Sequence, residues 1–532
     1  MGEKTSPEVI ASDSSDSEPS PEQLESLKHV SDKIPTAAWL VVIFSSMERF
    51  TYFAFTGPLQ IENYIQNPLD DTSRPGALGL GQSKATALIC FLNVLTYTTV
   101  IPAAIVADGY LGPFITICVF SCFYLTGLLL LFLTSLPVSL HHDAGLGGLI
   151  AAFILIGVGV GGIKSSVAPF LADQLKKTKT RVENRPNGES VIVDREITIR
   201  KIYGIYYWGV NIGGLSGIAT TALEKIYGFW AAFLLPLCSL AVSLVAFFIG
   251  RHQYIQHKPQ AGTLMRVFKV LGLAIGPGRF SLSYATASHQ ERHLGRTVNW
   301  DDSFIAEFRV ALLACRVWLI YPIVWLCFNQ NQTNLVSQAA NMQTYGIPND
   351  MMTNLNPISV LLVLPILQKC VYPSMKRFGL DPKPTVRMTL GFICVAASMA
   401  LAAGVQQIVY NSGPCYDSPR HCVIDGKMES EPNDVSVALQ VPIYVIGAIG
   451  ETFFSIAGSE WAYNSAPEGM KSLLQAIYML TLAVSSVLGI ALSPTFKDPS
   501  MTIVFGAFAG VMAVLSAVFG FFFWNVPNTS QG

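Results

Sequence analysis

The sequence predicts an all-α integral membrane protein, with about twelve transmembrane helices arranged as two six-helix bundles. Three observations carry that expectation. Of 532 residues, 51% are hydrophobic and only 13% are charged, against roughly 25% charged in soluble domains. Some twelve apolar runs approach the ~20 residues needed to cross a hydrocarbon core at about 1.5 Å per residue. A long polar stretch, residues 251–310, divides those runs six and six. The net charge of −1 gives no electrostatic case for a nucleic-acid or acidic partner.

Residues 1–36 are rich in Ser, Glu, Asp and Pro and lack an apolar core, so they read as a disordered tail and not as a signal peptide. The first six spans are predicted near 37–65, 80–106, 114–136, 146–171, 201–223 and 228–250. The second six are predicted near 311–343, 354–373, 386–410, 437–463, 471–494 and 501–524, leaving 526–532 as a short C-terminal tail. Pro and Gly interrupt several of them, as in "GVGVGGIKSSVAP", which a membrane bundle tolerates. A central loop between two six-helix halves is the layout of a secondary transporter built from repeats, although the halves show no clear identity to each other.

Lys and Arg set the orientation. With the N-terminal tail cytoplasmic, roughly 26 of them lie on that face and about 6 on the other. Both termini and loop 251–310 are therefore expected in the cytoplasm, and the polar loop 411–436 outside. In that oxidising setting Cys415 and Cys422 are expected to form a disulfide. The other cysteines read as small buried hydrophobes. Two glycosylation signals, at Asn331 and Asn528, fall inside span 7 and on the cytoplasmic side, so neither is expected to be modified.

Four ionisable residues stand inside spans: Glu48 and Arg49 in span 1, Lys164 in span 4 and Glu451 in span 10. Each costs about 2.5 to 3.5 kcal/mol at the bilayer centre, and such residues face a cavity or a partner. Two acids and two bases on three helices fit a polar site lining a central cavity. A zwitterion needs an anchor of each sign, and the planar Arg fork matches a carboxylate. A carboxylate beside a cation can also exchange its partner for a proton when substrate recruits the partner. Asn211, Gln330, Asn334 and Tyr97 add neutral groups inside spans. Amides suit a peptide backbone, and they serve equally well as interhelical hydrogen bonds.

Several stretches resemble the proton-dependent oligopeptide transporter family, a branch of the major facilitator superfamily, and its fungal members in particular. "MERFTYF" resembles the ExxERFxYY motif of span 1, and "GVGGIKSSVAPFLADQ" the lysine-bearing span 4. "YYWGVNIGGL" is similar to the FYxxINxGSL signature. "NQTNLVSQA", "PTVRMTLGF" and "GETFFSIAGSEWAYNSAPEGMKS" resemble spans 7, 9 and 10. The resemblance covers about residues 37 to 525.

It implies alternating access around a central cavity, with di- and tripeptides taken up together with protons across the plasma membrane by a monomer. Carried over by position, Arg49 and Lys164 would meet the peptide carboxylate and Glu451 its amino group. Asn211 and Gln330 would meet the backbone, and Tyr52 and Tyr97 would line the pocket. Glu48 would carry the proton. No cofactor, metal or nucleic acid is implied. No metal-spaced His cluster or nucleophile motif supports a membrane enzyme.

The chain departs from the pattern at three places. Ser45 replaces the first Glu of the motif, Phe53 replaces a second Tyr, and "ADGYLGPFITI" keeps Asp108, a gating or structural residue, but has Pro113 where a basic residue is usual. Ser45 leaves open a carrier of a peptide-derived or other small metabolite with weak or absent proton coupling. A peptide sensor is the remaining alternative.

Overall fold

The computed structural model describes residues 27–523 apart from 60–61, 68–75, 142–143, 176–180, 185–189, 257–262, 276–280, 378–382, 418–421, 425–426, 430, 466 and 468–469. Among the described residues, ten helices are long and apolar enough to cross a membrane. Two more, Thr36–Leu59 and Arg195–Gly214, fall outside that group. The first contains Glu48 and Arg49, and the second opens on the charged run "REITIRK". Both pack in the bundle as spans 1 and 5, with span 1 against spans 5 and 6. Span 5 breaks at Leu215, resumes as Ser216–Tyr227 and stops at Gly228, whose φ of 95° suits a residue without a β-carbon.

Two apolar cores organise the bundle. One draws on residues between Ala37 and Tyr254, the other on residues between Leu264 and Phe519. Span 3 packs on span 4 in the first, and span 9 packs on spans 10 and 12 in the second. Span 2 joins them, because it also packs along span 11 and sets Tyr97, Ile101 and Ile105 against the second core. Hydroxyls inside spans donate one turn back, as Thr51 does to the Met47 carbonyl and Ser516 to that of Met512. Each of these donors is thereby satisfied within its own helix.

Span 7 starts earlier than predicted. Its helical run is Asp302–Ala340, so the central loop ends before 310, and the loop itself holds an amphipathic helix, Thr263–Ile275. Polar residues at 301–309 hid that start from a reading based on hydropathy.

A second correction concerns the N-terminal tail. Lys28–Val30 is a strand, parallel to Ser190–Val193, which in turn pairs antiparallel with Arg181–Asn184. The segment predicted as disordered therefore ends in ordered structure, because its backbone finds the partner "SVIV" about 160 residues away in sequence. Residues 1–26 and the tail 524–532 lie outside the described residues.

The loop predicted outside carries a two-stranded hairpin, Cys422–Ile424 with Lys427–Glu429, and a strand at Asn433–Ser436 that pairs with Met342–Gln343. Cys415 is disulfide-bonded. The Cys422 side chain lies outside the described residues. Asn433 anchors the loop: its amide accepts from the Cys415 N–H at 2.9 Å and donates to the Val409 and Tyr416 carbonyls.

Candidate functional site

Span 1 supplies the centre of the site. Neighbours on a helix point about 100° apart and do not normally meet, yet Arg49 folds back on Glu48. Its Nε donates to Oε2 at 2.6 Å and its Nη2 to Oε1 at 2.8 Å. The fork satisfies both carboxylate oxygens, and the Glu48 side chain is only 2% exposed. Burial makes the bidentate geometry worthwhile, because an unpaired charge there would be costly.

Glycines bring Lys164 to this pair. A β-carbon at Gly161 would lie 2.3 Å from the Thr96 carbonyl oxygen, and one at Gly162 would lie 2.0 Å from the Phe120 ring. Only glycine permits span 4 to approach spans 2 and 3 so closely. The Lys164 ammonium consequently stands 4.4 Å from the Tyr97 ring centroid and 5.1 Å from that of Tyr52, and donates to the Tyr97 hydroxyl at 3.3 Å. The Arg49 guanidinium lies 5.2 Å from the Tyr52 ring, whose hydroxyl donates to Asn93. Two cations thus stand against one tyrosine ring. Lys164 forms no ion pair with a carboxylate among the described residues.

Glu451 stands apart. Its Oε2 accepts from Asn356 of span 8 at 3.0 Å, and no described cation pairs with it. Glu451 and the span 1 pair thus belong to different halves and form no ion pair with each other.

Span 5 lies between them with adjacent tyrosines. Tyr206 lies in electrostatic range of Arg49 and Glu48. Tyr207 lies in range of Glu451. Span 5 sits close to span 1 because a β-carbon at Gly213 would be 2.8 Å from the Phe50 nitrogen. Asn211 donates to the Tyr207 carbonyl at 2.9 Å, which leaves its amide oxygen for another partner.

Gln330 and Asn334 are placed differently from the expectation drawn from the resemblance. Both are fully buried in a relay: Gln82 of span 2 donates to Asn334 at 3.0 Å, Asn334 to Gln330 at 2.6 Å, and Gln330 to the Leu326 carbonyl at 2.8 Å. The Gln82–Asn334 bond joins spans 2 and 7, and the other two lie within span 7. Ser83 also donates to the Ser493 carbonyl and Lys225 to that of Gly346, both at 2.5 Å. These hydrogen bonds between the two halves lie at one end, the one away from residues 31 and 523, and hold that end closed.

Asp108 is exposed, in a π-helical turn at the foot of span 2. Gly112 follows with φ 76°, and Pro113 takes the first position of span 3, where a missing N–H costs nothing. The proline thus has a local structural role.

Sequence reasoning missed Gln82, Asn93, Asn356 and Tyr206. Asn93 and Asn356 are isolated amides in apolar runs, a signal that could have been followed. Gln82 stands at the polar start of a span and carries none.

Comparison with known proteins places this geometry. Residues 114–511 match the model of the POT family, PTR2. Peptide transporter PTR_C of Candidozyma auris is 42% identical over 95% of this chain and 86% of its own length. Peptide transporter PTR2 of Saccharomyces cerevisiae is 37% identical over 95% and 81%. A crystal structure of an auto-inhibited POT family peptide transporter superposes with a TM-score of 0.71 at 18% identity, covering 94% of this chain and 99% of the other. A POT family transporter in complex with a thioalcohol-conjugated peptide gives 0.66 at 19%, over 92% and 96%. At such identity the superpositions speak for the fold.

Proposed function

The chain belongs to the POT family, and from that premise we propose that it imports di- and tripeptides by proton symport through alternating access. The observation that carries the reading is the separation of charge. Arg49 and Lys164 stand together on one half and Glu451 on the other. A peptide that bridges them by its two ends draws the halves together.

The steps follow from the geometry. A peptide carboxylate arriving at Arg49 and Lys164 competes with Glu48 for the guanidinium fork. Glu48, losing its partner in a buried setting, takes a proton in exchange. Glu451, already oriented by Asn356, receives the peptide ammonium. Asn211 offers its free amide oxygen to the backbone, and Tyr52 and Tyr97 wall the pocket. The plasma membrane, with both termini cytoplasmic, suits the Lys and Arg distribution, and the closed end then faces outside. We take the monomer as the working unit.

A second reading has an observation of its own. Ser45 stands where the family pattern has Glu, so only Glu48 is left in span 1 to carry a proton. Transport of a peptide or a related metabolite with weak coupling would follow. Uptake of labelled dipeptide across a pH gradient, with and without a protonophore, separates the two. Saturable uptake that ignores the gradient would remove proton coupling and leave peptide transport standing.

A further inference from the structure

We propose that residues 28–33 form a strap that fastens the base of span 5 to the base of span 1, and that its docking sets the rate of the transport cycle without taking part in peptide binding. Lys28–Val30 is an edge strand of three residues, in register with Val191–Val193. The Asp194 N–H donates to the Val30 carbonyl at 3.0 Å.

Side chains reinforce the strand. His29 Nδ1 lies 3.3 Å from Asp194 Oδ2, and Arg181 pairs with Asp32 at 3.3 Å. The Asp32 N–H donates to Thr198 Oγ1 at 2.8 Å, and Lys201 donates to Ser31 at 3.2 Å. Thr198 and Lys201 belong to the first two turns of span 5, and span 1 begins at Thr36, three residues after Lys33. The strap therefore joins the helix that carries Tyr206, Tyr207 and Asn211 to the helix that carries Glu48 and Arg49.

Two features make it a reversible device. The strand is short and at an edge, and its ion pairs are only partly buried, with Arg181 and Asp32 side chains 22% and 25% exposed. Such elements open at low cost relative to the body of a fold. The strap is also remote from the site. Thr36 lies thirteen residues before Arg49, roughly 20 Å along the helix axis at about 1.5 Å per residue, so residues 28–33 cannot touch a peptide held there. Meanwhile the higher contacts of spans 1 and 5, at Gly209 and Gly213, are tight. A fastened base makes the two spans move as one body, and an unfastened base lets span 5 lag.

The test rests on the transport reading and is chosen to be separable from it. In the full chain, Val30→Pro removes a strand donor, and Asp32→Arg sets two cations against each other. Each should lower kcat for labelled dipeptide uptake at least threefold at matched surface abundance, with KM and the Kd of purified protein for dipeptide within twofold. The exchanged pair Asp32→Arg with Arg181→Asp should recover most of the loss. Unchanged uptake in both single variants, a Kd that moves with kcat, or no recovery in the exchanged pair would overturn the strap. Hydrogen exchange on the purified wild type is independent of transport: the amides of Asp32 and Asp194 should be protected, and exchange at unstructured rates would overturn the proposal. Absent dipeptide uptake by the wild type with those amides protected would count against the transport reading and for the strap.

Discussion

Glu451→Gln isolates one charge. The carboxamide keeps an acceptor for Asn356, which now donates to Oε2 at 3.0 Å, so the local fold is retained and only the negative charge is lost. A hydrogen bond to a charged group contributes about 1.5 to 3 kcal/mol net. A peptide ammonium seated on Glu451 should therefore bind about 10- to 150-fold more weakly in the variant, at about 1.4 kcal/mol per factor of ten. An N-acetylated peptide of the same sequence brings no positive charge to Glu451 and should change less than about threefold. The assay is displacement of a labelled dipeptide from purified protein by the two competitors. Equal losses for free and blocked peptides would refute the assignment, since the ammonium could then not be the group that Glu451 meets.

Three more outcomes follow from the same geometry. Glu48→Gln should abolish accumulation against a gradient while sparing exchange of labelled for unlabelled peptide in proteoliposomes; full accumulation would exclude Glu48 as proton carrier. Gly161→Ala should lower the Tm of purified protein, with about 1 to 3 kcal/mol lost to overpacking, because its β-carbon would meet the Thr96 carbonyl at 2.3 Å; an unchanged Tm would show that spans 2 and 4 are looser than described. Gln82→Ala should raise accessibility from the closed end, read by labelling of a cysteine introduced in the site, with dipeptide Kd shifted less than about threefold. A large loss of affinity there would return Asn334 to the substrate.

The sequence carried the fold well where hydropathy speaks: among the described residues, ten of the spans contain an apolar stretch long enough to cross a membrane. Spans 1 and 5 were found because the apolar runs around "MER" and after "RKIYG" are long enough, despite the charges that keep both below an apolar threshold. The strand at Lys28–Val30 was not legible, because three residues have no period of their own and the partner lies far along the chain. The site divides in the same way. Charges in hydrocarbon must be satisfied, so Arg49, Glu48, Lys164 and Glu451 announced themselves. Amides can satisfy themselves with one another, and for that reason Gln330 and Asn334 looked the same in sequence whether they faced a ligand or, as here, Gln82.

The Glu48 and Arg49 pair is formed by neighbours on a single helix, and this bears on electrical behaviour. A pair split between the two halves would part whenever they rock, and would carry separated charge through the membrane field at about 2.3 kcal/mol per elementary charge per 100 mV. A pair built into one helix moves as a neutral dipole. Lys164 and Glu451 are not so joined, since they stand on different halves. Any voltage dependence in the return of the empty carrier therefore falls to those two residues and not to the span 1 pair, and the rest belongs to whatever charge the cargo and its protons bring aboard.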